Sequence, residues 1–474
     1  MRLKKKIRSL LSKDEIVEIR NQQQHILDVL AALPSELSGG ERTMMDAVAV
    51  AIQKNADEAA LTIRQLNERI DFLETQLKTS SEMAVSQLKT SVELAACGKS
   101  GMLKVLIAGF YGADNLGDEF MLKAVLNRLS RFESLDITVL LYDNDGYVPP
   151  AYKDIHYVHL QKNMYDFPNL VHKFDFFIFG GGAVLDDTNY SVDNAHQYDI
   201  STILIKISEY AQASGKKTAF LGLSTSYNMS DMVYIEKLAD VVSRSDVFLL
   251  RDKYSKVQID ALVPGKAELM EDIVYSLPRL KTDFQSGADS ISVGVVVVDE
   301  ESSKNLFDAC VAFQDEIAPK HMKIKLIPMY DYMNSNIIQY GKIKEKYGSF
   351  LDIEIKNFTN SYEGICGYFS ENDFNISMRY HGCVLSLMTG TPAIPVLYDK
   401  CVHYQNKVRQ IIDDYNMPEL LVSSVSEEPH SFVEKMMLAM NENERYRNTA
   451  DMVAERLCAG AVQQMSKVIN DLFD

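Results

Sequence analysis

Several common sequence patterns are missing from this 474-residue chain, and each absence excludes a class of protein. None of the six cysteines forms a C-x-x-C pair or another metal-finger spacing, which argues against a zinc finger and against a disulfide framework. No apolar run approaches the roughly 20 residues that cross a bilayer. The basic N-terminus also lacks the apolar core of a signal peptide. We therefore expect a cytoplasmic protein with free thiols.

An excess of positive charge is also missing. The chain has 49 Lys and Arg against 66 Asp and Glu, a net charge of −17, which argues against a nucleic-acid partner. This charge does not exclude a small anionic ligand, because a local cluster of arginines can bind one inside an acidic protein. The apolar content of 46% is typical of globular proteins, and the length predicts two or three domains.

Residues 1–98 are poor in helix-breaking residues, with proline only at position 34 and glycine only at positions 39, 40 and 98. Apolar residues recur there at alternating spacings of three and four, the pattern of a coiled-coil seam. The seam consists of Met45, Val48, Ile52, Ala56, Ala59, Ile63, Leu66, Ile70, Leu73 and Leu77. We expect this helical arm to form a homo-oligomer; the alternative is a long helix packed back on the rest of the chain.

From Leu103 onward, strand patterns alternate with helical patterns in two consecutive series. The predicted strands span 103–109, 136–142, 175–179, 218–223 and 247–250, then 291–298, 323–329, 352–355, 373–378 and 393–397. This alternation is typical of parallel sheets with helices on both faces. The predicted fold class is α/β, with two facing Rossmann-like domains at 101–287 and 288–474 after a helical coiled-coil region at 1–98.

The most informative motif is Arg379-Tyr380-His381, which lies between a predicted strand and a predicted helix. Open α/β sheets bind ligands at such junctions, where free backbone N–H groups attract anions. Arginine adds a fork-shaped charge suited to phosphate or carboxylate, and histidine can move a proton near neutral pH. The pattern predicts chemistry on a small anion. The alternative is an arginine in a surface ion pair beside a histidine that caps the helix.

A second arginine, Arg251, ends a strand of the first predicted domain and precedes Asp252. Because strand ends of facing domains converge on one cleft, Arg251 and Arg379 could clamp a doubly charged anion. The alternative is a surface ion pair between Arg251 and Asp252.

Two glycine-bearing segments follow strands of the first predicted domain. In the first, Gly112 and Gly117 let the backbone approach a ligand. Asn115 and Asp118 in this segment can hydrogen-bond to hydroxyl groups, and Asp118 is equally suited to capping a helix.

The second segment is Gly180-Gly181-Gly182 with the residues that follow it. Here Gly181 and Gly182 predict a backbone wrapped around a ligand. Asp186 or Asp187 could act as a general base in this segment or cap the next element.

Taken together, these segments resemble the polysaccharide pyruvyl transferase family. The matching residues, within 101–415, are Gly109-Phe110-Tyr111-Gly112, Asn115-Leu116-Gly117-Asp118-Glu119, Gly180-Gly181-Gly182, Leu185-Asp186, Arg251-Asp252, Arg379-Tyr380-His381, Gly390-Thr391-Pro392 and Tyr398-Asp399-Lys400. The resemblance implies two Rossmann-like domains of the GT-B type. It does not extend to residues 1–98.

The resemblance also implies an activity, the transfer of pyruvate from phosphoenolpyruvate onto two hydroxyls of a sugar as a cyclic ketal. The sugar would belong to a cell-surface polysaccharide or its precursor, which includes a lipid-linked glycan. Phosphoenolpyruvate is then a co-substrate, and we expect neither a cofactor nor a metal. By the family pattern, Arg251, Arg379 and His381 would hold phosphoenolpyruvate with the backbone at Tyr380, and Lys400 would belong to the acceptor side or a loop.

A mechanism follows from these residues. The two arginines neutralise and orient the donor, and His381 protonates its methylene carbon as an acceptor hydroxyl attacks. Asp118 or Asp187 accepts the hydroxyl proton. Two alternatives remain, a glycosyltransferase of the same fold that uses a nucleotide sugar and an inactive coiled-coil scaffold.

The chain contains no tryptophan, a common sugar-stacking residue. Tyr111, Tyr190 or Tyr398 would have to take that place.

Residues 1–13 hold six basic residues and no acidic one, with Leu3, Ile7, Leu10 and Leu11 on one helical face. A basic amphipathic segment can lie on an anionic membrane, here the inner face; the alternative is a solvated terminus.

Co-sedimentation with anionic liposomes tests this membrane contact. At low salt the full-length chain should pellet with the liposomes. A version that begins at residue 14 should stay in the supernatant, because it lacks the basic segment. Equal behaviour of the two proteins would rule the contact out.

Overall fold

The structure, a computed structural model, describes residues 101–142, 155–160, 167–187, 200–225, 229–281, 287–331, 335–398, 410–412, 414–415 and 417–473. All of them lie in one unit, Lys99–Asp474. The predicted coiled-coil arm at 1–98 and the basic segment at 1–13 lie outside the described residues. None of the described helices is both long enough and apolar enough to cross a membrane.

The first half of this unit is built on a parallel sheet of seven strands, in the order β3-β2-β1-β4-β5-β6-β7. The strands are β1 Leu103–Ala108, β2 Leu135–Leu141, β3 Ile155–His159, β4 Phe176–Leu185, β5 Lys217–Thr225, β6 Val247–Leu250 and β7 Glu268–Leu269. The helices are α1 Leu116–Leu129, α2 Phe167–His172, α3 Ile200–Ala213, α4 Met232–Arg244 and α5 Lys253–Leu262, with a 3₁₀ turn at Ile273–Ser276. The strand order reverses between β1 and β4, and this reversal opens a crevice at their carboxyl ends.

The second half repeats the arrangement with five parallel strands, in the order β10-β9-β8-β11-β12. The strands are β8 Ser290–Val296, β9 His321–Leu326, β10 Asp352–Ile355, β11 Phe374–Ser377 and β12 Ala393–Pro395. The helices are α6 Lys304–Glu316, α7 Ser335–Tyr347, α8 Tyr362–Ser370, α9 Tyr380–Met388, α10 Pro429–Asn441 and α11 Asn443–Phe473, with a 3₁₀ turn at Pro418–Leu420. Both sheets are covered by helices, which is why their strands read as nearly continuous apolar runs.

The prediction of two parallel α/β series is confirmed. The sequence did not reveal β3, whose residues are only partly buried, or β7, which has two residues. The prediction of a loop at Gly180-Gly181-Gly182 is wrong, because these residues lie inside β4. The strand tolerates them because its register with β5 shifts between Gly182 and Leu185.

Backbone hydrogen bonds join the two halves beside the crevice. The N–H of Leu116, the first residue of α1, donates to the carbonyl of Met329 at 3.1 Å, and the N–H of Asp331 donates to the carbonyl of Asp114 at 3.1 Å. Between these two bonds Asn115 forms an antiparallel bridge with Tyr330. The beginning of α1 is therefore fixed against the segment that follows β9.

The last helix, α11, returns to the first sheet. The ring centroid of Phe473 lies 4.9 Å from that of Phe176 and 5.9 Å from that of Phe132. The two halves are thus joined both beside the crevice and through the C-terminal helix. The predicted domain boundary between residues 287 and 288 stays a prediction.

Candidate active site

The carboxyl end of β6 supplies the first site residue, Arg251. Its Nη1 donates to the Asp272 carboxylate at 2.7 Å, its Nε donates to the Ser224 hydroxyl at 2.9 Å, and both charged side chains are buried. The surface pair between Arg251 and Asp252 is wrong as an alternative, because Asp252 caps α5 by accepting from the N–H of Ser255 at 2.7 Å.

The buried pair fixes the charge on both of its members. Burial alone would lower the pKa of Arg251, but the Asp272 carboxylate raises it. Burial likewise opposes ionisation of Asp272, but the guanidinium of Arg251, followed by His381, holds the pKa of that carboxyl well below its ordinary value. Asp272 therefore stays an anion and Arg251 a cation at any physiological pH.

The second sheet supplies Tyr380 and His381, the first two residues of α9. The guanidinium carbon of Arg251 lies 4.7 Å from the centroid of the Tyr380 ring. His381 Nε2 lies 3.4 Å from Arg251 Nη1 and 3.6 Å from Asp272 Oδ2. Residues at the carboxyl ends of strands in both sheets thus meet around one ion pair, as the sequence predicts for Arg251 and His381.

Gly117 in the first turn of α1 lies directly against the other side of the imidazole. A Cβ at this position would lie 1.9 Å from His381 Nδ1, far inside contact distance. The glycine predicted to admit a ligand therefore admits the histidine of the opposite half.

Arg379 differs from Arg251 in having no ion-pair partner among the described residues. Its guanidinium carbon lies 5.4 Å from the centroid of the Tyr330 ring, and its buried Nε has no hydrogen-bond partner in that part of the chain. The side chain is half-buried and lines the crevice. Its charge is therefore available to a ligand.

A cavity of about 220 Å³ lies between these groups. The polar residues of its lining are Asn115, Asp118, Arg251, Arg379, Tyr380 and His381. The apolar residues of its lining are Phe110, Ala183, Val184, Ile200 and Met329. The lining thus combines charged and polar side chains with apolar ones. This combination suits a small anion that has an apolar part.

The remaining glycines act on neighbouring side chains. Gly181 and Gly182 have φ angles of +54° and +100°, and a Cβ would lie 2.6 Å from Met121 Sδ at Gly181 and 2.7 Å from Asp118 Oδ1 at Gly182. They make room for α1, so their predicted wrapping around a ligand is replaced by a packing role. Gly112 donates its N–H to Glu119 Oε1 at 2.7 Å, which fixes the loop before α1.

The two predicted general-base candidates are separated by the structure. Asp118 is 6% exposed and lines the cavity. Asp187 accepts from the backbone N–H groups of Ser230 and Asp231, just before α4, and does not line the cavity. Asp186 is also outside the cavity lining, and its N–H donates to the Ser201 hydroxyl at 3.2 Å.

Other predicted contacts change as well. Tyr111 is fully buried and donates its hydroxyl to the carbonyl of Gly180 at 2.8 Å, so it cannot stack on a ligand. Its neighbour Phe110 lines the cavity instead. The hydroxyl of Tyr398 lies 3.0 Å from Asp299 Oδ2, and Tyr398 does not line the cavity. Tyr190 and Lys400 lie outside the described residues.

Sequence reasoning missed two site residues, Asp272 and Phe110. The signal for Asp272 is an acidic residue shortly after a strand, but β7 is too short to recognise. The signal for Phe110 is its position directly after Gly109 at the carboxyl end of β1, where side chains reach the crevice.

Replacing Gly117 with Ala tests the close approach of α1 to His381. We expect a loss of about 1–3 kcal/mol in the free energy of unfolding, because the added Cβ must displace the imidazole. Thermal or denaturant unfolding measures the effect. Gly341→Ala on α7 is the matched control, since a Cβ there meets nothing within 4 Å, and it should leave stability unchanged or raise it by up to about 1 kcal/mol. Equal stability of the two variants would contradict the contact.

Solved structures with a similar backbone share the two-sheet arrangement. Sucrose-phosphate synthase from Thermosynechococcus elongatus superposes with a TM-score of 0.51 at 10% identity, over 78% of this chain and 99% of that one. MnaA from S. aureus, in its structure with UDP, superposes with a TM-score of 0.50 at 10% identity, over 78% and 96%. At this identity the comparison shows the fold alone, which is GT-B-like, as predicted.

The sequence itself identifies the family. No curated protein matches the chain. The family model for polysaccharide pyruvyl transferase matches residues 115–400, more than half of the chain and every described residue of the cavity except Phe110. The chain therefore belongs to the polysaccharide pyruvyl transferase family.

Proposed function

We propose that this protein transfers pyruvate from phosphoenolpyruvate onto two hydroxyls of a sugar, as a cyclic ketal, in a cell-surface polysaccharide or its precursor. The observation that carries the proposal is the pairing of Arg379 with His381 in one small cavity. Arg379 offers a cation without a partner among the described residues, and His381 offers a proton donor beside it. Family membership supports the same reaction class.

The charge around the cavity fits the donor. Phosphoenolpyruvate carries a phosphate and a carboxylate. The charge of Arg251 is balanced by Asp272, so attraction for this anion comes mainly from Arg379 and from His381 when it is protonated. The first turn of α9 adds backbone N–H groups, that of Tyr380 among them, which have no intrahelical partner. This differs from the predicted clamp of two equivalent arginines.

The size of the cavity supports a small donor. Its 220 Å³ falls below the roughly 300–1,000 Å³ typical of sites for drug-sized ligands. Phosphoenolpyruvate is smaller than such ligands, whereas a nucleotide sugar is larger than the described cavity. The described cavity is therefore large enough for the pyruvyl donor.

The residues divide the chemistry as follows. Arg379 binds and orients the donor. A hydroxyl oxygen of the acceptor attacks C2 of phosphoenolpyruvate while His381 gives a proton to C3, which becomes the methyl group. Asp118, rather than Asp187, accepts the hydroxyl proton because it alone of the two lines the cavity. The bond from C2 to the phosphate oxygen then breaks, the second hydroxyl attacks C2 and gives its proton to the now neutral His381, and the ketal closes with phosphate released.

The apolar residues of the cavity lining fit a sugar acceptor. Phe110 is partly exposed there and packs against Tyr142 with ring centroids 4.7 Å apart. An aromatic face held in this way can stack on the apolar face of a sugar ring, and Asn115 can hydrogen-bond to its hydroxyls. The acceptor is accordingly a sugar or a lipid-linked glycan.

A homo-oligomer formed through residues 1–98 and contact with the inner membrane face stay part of the proposal.

Calorimetric titration with phosphoenolpyruvate tests the donor. We expect saturable binding that Arg379→Ala weakens by about 2 kcal/mol, or roughly 30-fold, because a charged contact is lost. Arg244→Ala is the matched control, since Arg244 pairs with Asp240 on the exposed face of α4, and it should bind like the wild type. Binding of a nucleotide sugar alone would move the assignment to glycosyltransferase, and binding of neither would favour the scaffold.

Replacing His381 with Ala tests the proton donor. Phosphate release from phosphoenolpyruvate in the presence of an oligosaccharide panel should fall by about 10²–10⁴-fold, the usual contribution of a general acid. Donor binding in the same titration should weaken less than in Arg379→Ala, since the unbalanced charge of Arg379 is unchanged. Undiminished phosphate release would exclude the acid role.

A further inference from the structure

Asp272 is a buried carboxylate that faces the site without lining the cavity. Its side chain is 0% exposed. Oδ1 accepts from the N–H of Val274 at 2.9 Å, and Oδ2 accepts from Arg251 Nη1 at 2.7 Å with His381 Nε2 at 3.6 Å. A buried carboxylate retains its charge only if such donors surround it.

We propose that Asp272 is a positioning residue that holds the Nε2 proton of His381 and thereby keeps the imidazole protonated and turned toward the cavity. The inference rests on the proton donation by His381 in the function proposed above. Asp272 itself touches no substrate in this arrangement, because the imidazole and Arg251 separate it from the cavity.

Arg251 competes with Asp272 for the same nitrogen, since an arginine N–H would require Nε2 to be unprotonated. Arg251 uses Nε for Ser224 and one Nη1 proton for Asp272, and Nη1 lies 3.4 Å from Nε2. The second Nη1 proton has another acceptor at a similar distance, Met121 Sδ at 3.6 Å. Asp272 Oδ2 still has an acceptor site to offer. At 3.6 Å from Nε2 this oxygen is at ion-pair distance, and its negative charge favours a protonated Nε2 that faces it.

The other groups around the ring carry both signs of charge: the cations Arg251 and Arg379 oppose protonation of the imidazole, and the carboxylates Asp272 and Asp118 favour it. Tyr380 packs edge-on against the imidazole with ring centroids 4.9 Å apart. Burial and the Asp272 carboxylate raise the pKa of Tyr380 well above its ordinary value, so it stays neutral. From α1, Gly117 contributes no charge, while Asp118 lines the cavity as a further carboxylate. Arg379, which follows β11 just before α9, adds a cation to the cavity.

Holding Nε2 also fixes the rotation of the imidazole ring. Nδ1 lies on the Gly117 side, at the first turn of α1, and the neighbours Asn115 and Asp118 of that turn line the cavity. Asp272 and the first turn of α1 therefore hold the ring from two sides. Asp272 acts from the far side of the ring, as an orienting carboxylate does in other catalytic histidine pairs.

Nitrogen NMR of the unliganded full-length protein, labelled with ¹⁵N-histidine, tests the inference. The His381 signal is assigned by its loss in His381→Gln. In the wild type we expect Nε2 to carry a proton at every pH between 6 and 8. A neutral ring protonated at Nδ1 with a bare Nε2 would overturn the proposal, and this readout is made on the wild type, with the variant used for assignment only.

Asp272→Asn adds a second test. The titration midpoint of His381 should fall by at least one pH unit, a tenfold loss of proton affinity, because the carboxylate that stabilises the imidazolium is gone. Asp252→Asn is the matched control, since Asp252 is a buried carboxylate next to Arg251 that caps α5, and it should leave the midpoint in place. An unchanged midpoint in Asp272→Asn would also overturn the proposal.

The pH dependence of turnover distinguishes a positioning role of Asp272 from a purely structural role. In Asp272→Asn the alkaline limb of the pH–rate profile should move to lower pH by the same shift, whereas a purely structural loss lowers the rate equally at all pH values. The NMR results use neither donor nor acceptor. Failure of the transferase assignment would therefore leave them standing, and their failure would leave the assignment standing.

Discussion

The ion pair between Arg251 and Asp272 is the interaction on which the site depends. Removing one partner from a buried pair leaves an unpaired charge and costs about 3–5 kcal/mol. The pair also supports two neighbouring residues, because the ring of Tyr380 stacks on the guanidinium and the imidazole of His381 contacts both members of the pair. One electrostatic contact at the edge of the first sheet thus fixes two residues supplied by the second.

The two arginines of the site have different electrostatic surroundings. Arg251 is balanced by a carboxylate at 2.7 Å, whereas Arg379 has only an aromatic ring beside it in the part of the chain that the structure describes. A charge that is already balanced organises its neighbours, and a charge that is not balanced attracts a ligand. This division would give a chain with a net charge of −17 a local positive site for the proposed polyanionic donor.

Much of the fold could be predicted because strands buried on both faces leave an apolar run, as in β8. The convergence of Arg251, Arg379 and His381 could be predicted because parallel strands end at one edge. Asp272 could not, since the strand before it has two residues and its partners lie far away in sequence. Nor could sequence distinguish Asp118 from Asp187, because either carboxylate can cap a helix and only tertiary contacts decide which one lines the cavity.

The contacts of His381 have a consequence for the order of events. The imidazole belongs to the second half of the fold, but Arg251, Asp272 and Gly117 around it belong to the first. If the crevice widened, the histidine would lose its orienting carboxylate while Arg379 kept its place beside Tyr330 in the second half. Donor capture and donor activation would then be separate events. A donor anion bound in the open cleft would lack the oriented proton donor His381. It would therefore be protected from hydrolysis until the cleft closed.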